Sequence, residues 1–190
     1  MIVLGIDPGT AVTGYGVVAA DDGMVGGGRI AKAALAGRGS RERGVSGAPR
    51  LIECGVIRTS PDAPLSTRLK DIFDGVSELI ARHHPDVLAV EDVFYARNVR
   101  TTLVLGHARG VVLLAGERAG IGVSEYSPAV IKKTVVGRGA ATKEQVQFMV
   151  ARLLRLKSVP RPADAADGVA CALTYVMTAG LARLRARAAG

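Results

Sequence analysis

The sequence has no tryptophan, few other aromatic residues and two cysteines. Phe and Tyr make up 4% of its 190 residues, which argues against a reader that stacks many bases, so any stacking must come from one or two placed rings. Cys54 and Cys171 lie far apart and lack metal-ligand spacing, and we expect them to be reduced, buried small side chains. No uncharged apolar run reaches the roughly 18 residues that a membrane span needs. The opening MIVLGIDPG lacks a signal-peptide pattern, so we expect a cytoplasmic protein with no membrane segment.

Acidic residues are outnumbered in this chain, yet four of them occupy special places. There are 25 Lys and Arg against 17 Asp and Glu, a formal net charge of +8, and such basic proteins usually meet polyanions. Asp7, Glu91, Asp164 and Asp167 lie where predicted strands end or a predicted helix begins. Acids at the place where a polyanion docks repel it unless a divalent cation lies between them. The combination predicts metal-dependent chemistry on a phosphodiester.

Hydrophobic patterning predicts one α/β domain over residues 1–190. Short apolar or alternating runs predict strands, and apolar residues at helical spacing predict helices. The predicted strands are 2–7, 13–20, 51–58, 87–91 and 121–126, and the predicted helices run from 65 to Pro85, then 101–119, 128–135, 142–154 and about 164–182. A hairpin-led sheet therefore continues into strands linked by helices, which gives an α/β sandwich. The helix at 101–119 is apolar nearly all round, which is typical of the core or a subunit interface.

Residues 21–50 break this pattern. The segment is rich in Gly, Arg, Ser and Ala, has no sustained period, and is far longer than a hairpin connection requires. It is interpreted as an insertion, with a short helical piece around 30–35 as a hypothesis. Its charge is basic, so a weak, sequence-independent DNA contact is one interpretation. A solvated linker is the favoured one.

Asp7 and Glu91 each end an apolar strand. If the two strands are parallel neighbours, both carboxylates meet at one edge of the sheet, where sites form in open α/β sheets. For Asp7 alone, a metal ligand and an Asx-type turn acid are evenly balanced interpretations. Alternation along the strand directs the neighbouring Asp92 to the opposite face, which favours a structural or solvated role for it.

Asp164 and Asp167 are one helical turn apart, after Pro160 and Pro162. Acids in a first helical turn can simply cap free N–H groups. Two acids projecting from an Ala-rich apolar face exceed what a cap needs, so metal ligation is favoured.

Four carboxylates without a His or Cys cluster indicate a hard cation, Mg²⁺ or Mn²⁺. Two such ions per site could activate water and stabilise the leaving oxygen. The three histidines do not compete with this assignment. His83 and His84 fall at a predicted helix end and His107 in mid-helix, where structural roles are favoured.

The chain resembles the RuvC family of Holliday junction resolvases, which has the RNase H-like fold. The segments GIDPGT, VEDVFYARN, LGHARGV, IKKTVVGRG, ATKEQV and ADAAD occur in the family's order and span nearly the whole chain outside 21–50. The resemblance implies a mixed five-stranded sheet flanked by helices on both faces. It also implies that Asp7, Glu91, Asp164 and Asp167 are the catalytic, metal-binding acids.

The same resemblance implies a set of DNA contacts and partners. Phe94 corresponds to the family's junction-stacking aromatic residue, and Lys132 and Lys143 to its DNA-backbone lysines. The implied partners are four-way junction DNA, a second copy of the chain in a homodimer, and a branch-migration complex of RuvA and RuvB. The homodimer would nick two opposing strands symmetrically.

The residues themselves agree with a phosphate track. Residues 128–161 contain eight Lys and Arg but one acid, Glu144. Part of this excess of positive charge is typical of a solvated helix face. Lys132, Lys133, Arg138 and Lys143 are the candidate DNA contacts within it. The loop after Glu91 adds two further candidates beside Phe94, namely Tyr95 and Arg97.

Three other functions fit parts of the sequence. The turn G-x-D-x-G-T also occurs in sugar-kinase and actin-like ATPases, but that fold needs two domains and this chain is too short. A non-catalytic RNase H-like module predicts a broken acid set, whereas all four acids are present. An RNase H-like nuclease with another nucleic-acid substrate is the closest rival, and the residues alone do not separate it from a junction resolvase.

Overall fold

The computed structural model describes residues 1–21, 48–92 and 99–188, with side chains described up to residue 179. In chain order the elements are β1 (Ile2–Asp7), β2 (Val12–Ala19), β3 (Arg50–Arg58), α1 (Leu65–His83), β4 (Val87–Glu91), α2 (Val99–Arg118), β5 (Gly122–Tyr126), α3 (Pro128–Val136), α4 (Lys143–Leu153) and α5 (Ala163–Ala188). The predicted order of strands and helices is confirmed for these residues. Most ends fall within two residues of prediction, and α5 runs six residues further because Ala, Leu and Arg at 181–188 are good helix formers.

The five strands form one mixed sheet in the order β3-β2-β1-β4-β5. β2 pairs antiparallel with both β1 and β3, as a hairpin-led sheet requires. β1 pairs parallel with β4, and β4 with β5. The carboxyl ends of β1, β4 and β5 therefore meet at one edge of the sheet.

Helices cover both faces of the sheet, as predicted. Alternation along the strands sends Leu4 and Leu88 to one face, where they pack with residues of α1 and α2. Their neighbours Val3 and Ala89 point to the other face, where α3, α4 and α5 lie. The central strands are buried on both sides, which explains their continuous apolar runs.

Helix α5 lies unusually close to the sheet because glycines face each other across the contact. A Cβ on Gly168 would lie 2.5 Å from Cα of Tyr15 and 2.7 Å from its backbone N and C. A Cβ on Gly14 would collide with the backbone of Asp164. Gly5 and Gly16 are blocked by α5 in the same way. The beginning of α5 is thereby held against β1 and β2.

Several sequence predictions concern other parts of the chain. Most of the predicted insertion, including its helical piece, falls on residues 22–47, which are outside the described part of the chain. The last residue of the predicted insertion, Arg50, begins β3. Cys54 is half-buried and Cys171 fully buried, and both are free thiols. Among the helices described, none combines the length and apolarity that a membrane crossing requires.

Helix α2 is buried on one side rather than all round. Ala108, Val112, Ala115 and Gly116 form its buried side. Leu103 and Leu114 remain 61% and 51% exposed on the outside. The apolar character of the outer side is thus not used within the described part of the chain.

Candidate active site

Asp7 and Glu91 end neighbouring parallel strands. Ile6 pairs with Val90, so the next residue on each strand is an acid. Both acids alternate with the residues that face α1 and α2, and their side chains therefore point to the α5 side of the sheet. The parallel arrangement on which the sequence prediction depended is confirmed.

Asp164 and Asp167 come from the first turns of α5, as predicted. One carboxylate oxygen each from Asp7, Asp164 and Asp167 lie within 4.8 Å of one another. Glu91 lies outside this group of three but lines the same cavity. Asp164 stands at the rim, with a side chain 43% exposed, whereas that of Asp167 is 16% exposed.

The acids open into a cavity of about 220 Å³. Its lining consists of Asp7, Glu91, Pro128, Ile131, Lys132, Lys143, Val146, Asp167 and Ala170. Residues of α3, α4 and α5 thus close the site around the ends of β1 and β4. Three acids and two lysines share this small space with apolar side chains.

Burial makes two of the acids weak. It raises the pKa of Asp7 from 3.8 to about 7, with the charge of Asp167 adding to the effect and Lys143 opposing it. It likewise raises the pKa of Glu91 from 4.5 to about 8, with the charge of Asp7 as the next cause. Carboxylates crowded together in a low-dielectric site resist ionisation unless a positive charge joins them. The site therefore favours the binding of cations.

Two lysines reach the acids from α3 and α4. Thr142 caps α4 through a reciprocal pair of hydrogen bonds with Gln145, which places Lys143 at the first helical position. The Lys143 Nζ lies 2.6 Å from Asp167 and 3.7 Å from Asp164. Burial nevertheless raises the pKa of Asp167, against the opposing influence of Lys143. Lys132, on α3, lines the same cavity.

The residues fit a hard divalent cation. Three converging aspartates and an adjacent glutamate offer oxygen ligands alone, the set that Mg²⁺ and Mn²⁺ prefer. Burial and neighbouring negative charge raise the pKa values of Asp7 and Glu91, and a bound cation would stabilise their ionised forms. The acid cluster predicted from the sequence is present, while the choice between the two ions stays a prediction.

A pH-dependent stability follows from these pKa values. Because folding raises the pKa of Asp7 to about 7 and of Glu91 to about 8, the folded state binds more protons than the unfolded state between about pH 4 and 8. Stability should therefore fall as pH rises through this window. We expect the melting temperature of the metal-free wild type to fall between pH 5 and pH 8.5, and to fall by more than that of Asp7→Asn. Added Mg²⁺ should stabilise the wild type most at pH 8.5. If the melting temperatures of the wild type and Asp7→Asn changed with pH in parallel, Asp7 would not be the source of the pH dependence.

The remaining predicted residues are distributed as follows. Asp92 lies on the opposite face, where its Oδ1 is 3.3 Å from Nε of Arg109, as alternation predicted. His83 and His84 end α1, and His83 Nε2 lies 2.8 Å from Glu53. Lys133 and Arg138 are exposed on and just after α3, and the candidate contacts Phe94, Tyr95 and Arg97 lie outside the described residues.

Sequence reasoning missed the residues that hold the acids in place. Gly14 and Gly168 allow α5 to approach the sheet, and glycine inside a strand is a known signal of close backbone approach. Thr13, fully buried, donates a hydrogen bond from its Oγ1 to the Gly9 carbonyl at 2.7 Å and accepts one from the Gly9 N–H at 3.3 Å. This pins the turn after Asp7. Lys143 was predicted to contact DNA, but its ion pairs with the acids had no sequence signal.

The fold and the site together define a nuclease of the RNase H-like class. A mixed sheet in the order β3-β2-β1-β4-β5 carries acids at the ends of β1 and β4 and at the beginning of an adjacent helix. The yeast mitochondrial Holliday junction resolvase Ydc2 has the same fold, with a TM-score of 0.61 at 16% identity over 97% of this chain and 83% of that one.

Closer relatives specify the family. The model for the crossover junction endodeoxyribonuclease RuvC matches residues 33–175. RuvC of Desulforamulus reducens, a crossover junction endodeoxyribonuclease, is 43% identical over 175 residues, covering 92% of this chain and 93% of that protein. RuvC of Thermus thermophilus, in complex with a Holliday junction substrate, superposes with a TM-score of 0.79 at 35% identity over 96% of each chain. The chain belongs to the RuvC family, and the resemblance drawn from the sequence is confirmed.

Proposed function

We propose that this chain is a divalent-cation-dependent endonuclease that resolves four-way DNA junctions by paired nicks on opposing strands. The observation that carries the proposal is the convergence of Asp7, Asp164 and Asp167, with Glu91 in the same cavity, on a chain of net charge +8. Membership of the RuvC family and the junction-bound relative from Thermus thermophilus support the choice of substrate.

Each residue of the site has a task in this proposal. Asp7, Glu91, Asp164 and Asp167 would hold the cations and fix the scissile phosphate between them. When bound, two Mg²⁺ or Mn²⁺ ions supply a lowered pKa for the attacking water and charge stabilisation for the leaving 3′ oxygen. Lys132 and Lys143, which line the cavity, bind the flanking phosphates. The apolar lining from Ile131 and Val146 limits the water in the site.

Further DNA contacts follow from the family resemblance. Lys133 and Arg138 are exposed on and just after α3, the helix that carries Lys132, and we propose that they bind phosphates beyond the cavity. We propose that Phe94 stacks on a base at the crossover, with Tyr95 and Arg97 beside it. A stacked base is worth about 1–3 kcal/mol and tolerates any sequence. Such a wedge would distort the junction and bring the scissile phosphate toward the acids.

Lys132 and Lys143 should contribute affinity without sequence preference. We expect Lys132→Ala or Lys143→Ala to weaken junction binding on every sequence and to reduce the slope of log affinity against log salt by about one. Fluorescence anisotropy over a salt series measures this slope. Lys70, exposed on α1 and paired with Asp74, is the matched control, and Lys70→Ala should leave the slope unchanged. If Lys132→Ala or Lys143→Ala kept the wild-type salt slope, the replaced lysine would not contact a DNA phosphate.

A homodimer supplies the two sites that paired nicking requires. We propose that the outer side of α2 forms the contact between two copies, as expected from its apolar sequence. Leu103 and Leu114 lie three turns apart on this side and are more than half exposed. The exposed Gly106 and Gly110 lie between them, and an added Cβ at either would meet nothing within 4 Å. Small residues flanked by large apolar ones suit close helix–helix packing.

Leu103→Glu should therefore separate the dimer. A buried charge without a partner is costly, so we expect a monomer by light scattering at working concentration and loss of paired nicking. Phe148→Glu is the control, since Phe148 is 58% exposed on α4, away from α2. A dimeric Leu103→Glu protein, or a monomeric wild type that still resolves junctions, would contradict this contact.

Strand-by-strand nicking of a synthetic four-way junction with Mg²⁺ or Mn²⁺ tests the function directly. We expect symmetric nicks on two opposing strands and no cleavage without a divalent cation. Preferential cleavage of an RNA–DNA hybrid would favour the alternative RNase H-like nuclease. Junction binding without cleavage in either metal would favour a non-catalytic module. Cooperation with a RuvA–RuvB branch-migration complex and a cytoplasmic location stay predictions from the family and the sequence.

A further inference from the structure

Arg68 occupies a special position at the edge of the sheet that carries the acids. It lies at the end of the first turn of α1, on the opposite face of the sheet from α5. Its Nε donates a hydrogen bond to Thr59 Oγ1 at 3.0 Å. Thr59 directly follows β3 and is 8% exposed. Its hydroxyl in turn donates to the Thr10 carbonyl at 2.5 Å. Two hydrogen bonds thus connect the guanidinium to the turn that follows Asp7.

The same turn is fixed from two sides. Within it, Thr13 holds the backbone of Gly9. Outside it, the Thr59 backbone N–H donates to the Ala11 carbonyl at 3.2 Å. The connection from Arg68 through Thr59 to Thr10 therefore ends on a rigid support. A long side chain held through its Nε has lost most of its rotamer freedom before any ligand arrives.

The terminal amines of Arg68 are left available by this arrangement. Among the side chains described, no carboxylate lies within ion-pair distance of its guanidinium, and its one hydrogen bond is made through Nε. The other arginines of α1 and α2 with described ion pairs behave differently: Arg82 contacts Glu53 and Glu78, and Arg109 contacts Asp92 and Glu125. Arg68 thus combines a fixed orientation with four N–H donors that no hydrogen bond or ion pair given for the described residues engages.

We propose that Arg68 binds a backbone phosphate of the DNA strand that enters the acid site, and that Thr59 is the positioning residue that orients it. The planar fork of an arginine fits two phosphate oxygens at once. Because Arg68 lies beside the Thr10 turn, it would bind the DNA strand on the side of β1 opposite Lys132 and Lys143. The phosphate between these contacts would then be presented to Asp7. The inference rests on the proposed function and adds to it a contact outside the cavity.

Junction binding with Arg68 variants tests the proposal. Anisotropy titrations over a salt series, with Ca²⁺ in place of Mg²⁺ to prevent cleavage, give affinity and salt slope separately. Arg68→Gln should lower affinity about tenfold, as expected for a lost charge-assisted hydrogen bond, and reduce the salt slope by about one. Arg68→Lys should keep the slope and lose part of the affinity, because an ammonium keeps the charge but lacks the planar fork, in which Nε bonds Thr59 and the terminal amines can face a phosphate. Arg82→Gln removes the same charge at the other end of the same helix and should leave affinity and slope unchanged.

Thr59 variants test the positioning role. Thr59→Val keeps the shape and removes the hydroxyl, so we expect weaker binding at an unchanged salt slope, together with a lower single-turnover nicking rate. Thr59→Ser retains the hydroxyl and should restore both. A purely structural role for Thr59 and Arg68 would lower the melting temperature in Thr59→Val and Arg68→Gln with wild-type affinity and slope, and this result would overturn the proposal.

A measurement on the wild-type protein applies even if a variant does not fold. Junction DNA should protect Arg68 from a dicarbonyl reagent that modifies arginine, as read by peptide mass spectrometry, while Arg82 reacts equally with and without DNA. Equal modification of Arg68 in both states would also overturn the proposal. A wild-type protein that binds and nicks junctions, with Arg68 unprotected, refutes this inference alone. A wild type that neither binds nor nicks them refutes the proposed function itself.

Discussion

Replacing Asp7 by Asn should abolish nicking while leaving junction binding intact or tighter. Asp7, like Asp167, belongs both to the three converging carboxylates and to the lining of the cavity, so its loss removes a ligand at the centre of the proposed cation site. Loss of an outer partner of a metal ligand already costs about 10–100-fold, and we expect more than about 100-fold here. Binding should not suffer, because the substitution removes a negative charge that faces phosphates. Nicking in Mg²⁺ and in Mn²⁺, with anisotropy for binding, measures both effects.

The same variant should be at least as stable as the wild type when no metal is present. Burial raises the pKa of Asp7 to about 7, so at pH 8 its ionised form is costly and Asn removes that cost. Asp92→Asn is the matched control: it changes a carboxylate next to Glu91 that points to the other face and contacts Arg109. It should nick at nearly the wild-type rate. Near-normal nicking by Asp7→Asn in either metal would refute the assignment of the acids.

Replacing Gly168 by Ala should damage both the fold and the site. The new Cβ would lie 2.5–2.7 Å from three backbone atoms of Tyr15, and backbone in a central strand cannot move aside as a flexible side chain can. Helix α5 must therefore shift away from the sheet and carry Asp164 and Asp167 with it. Overpacking of this kind typically costs about 1–3 kcal/mol, sometimes more. We expect a lower melting temperature, and strongly reduced nicking in the fraction that remains folded.

Gly122→Ala is the control for this experiment. Gly122 is exposed at the beginning of β5, and an added Cβ would meet nothing within 4 Å. Its stability should stay within about 0.5 kcal/mol of the wild type, with normal nicking. If Gly168→Ala melts and nicks like Gly122→Ala, α5 does not pack against β2 as closely as described.

The order of elements and the approximate site were predictable because their signals are local. Apolar runs ending in Asp7 and Glu91, and Asp164 and Asp167 spaced one turn apart, carry their meaning in a few consecutive residues. Alternation placed Asp92 on the other face for the same reason. Ordered family motifs added the catalytic role of the acids and the set of DNA contacts, and all of these roles stay predictions.

Other features depended on contacts between residues distant in sequence. Gly168 is unremarkable in a helix until Tyr15 is seen beneath it, and Arg68 is one of many basic residues until Thr59 and Thr10 are seen to hold it. The raised pKa values of Asp7 and Glu91 require the burial and mutual proximity that the folded chain creates. The chemical character of the site was thus encoded in residue types and their local spacing. Its geometry, charge balance and supports were decided by tertiary packing, because distance and dielectric environment are properties of the assembled sheet and helices.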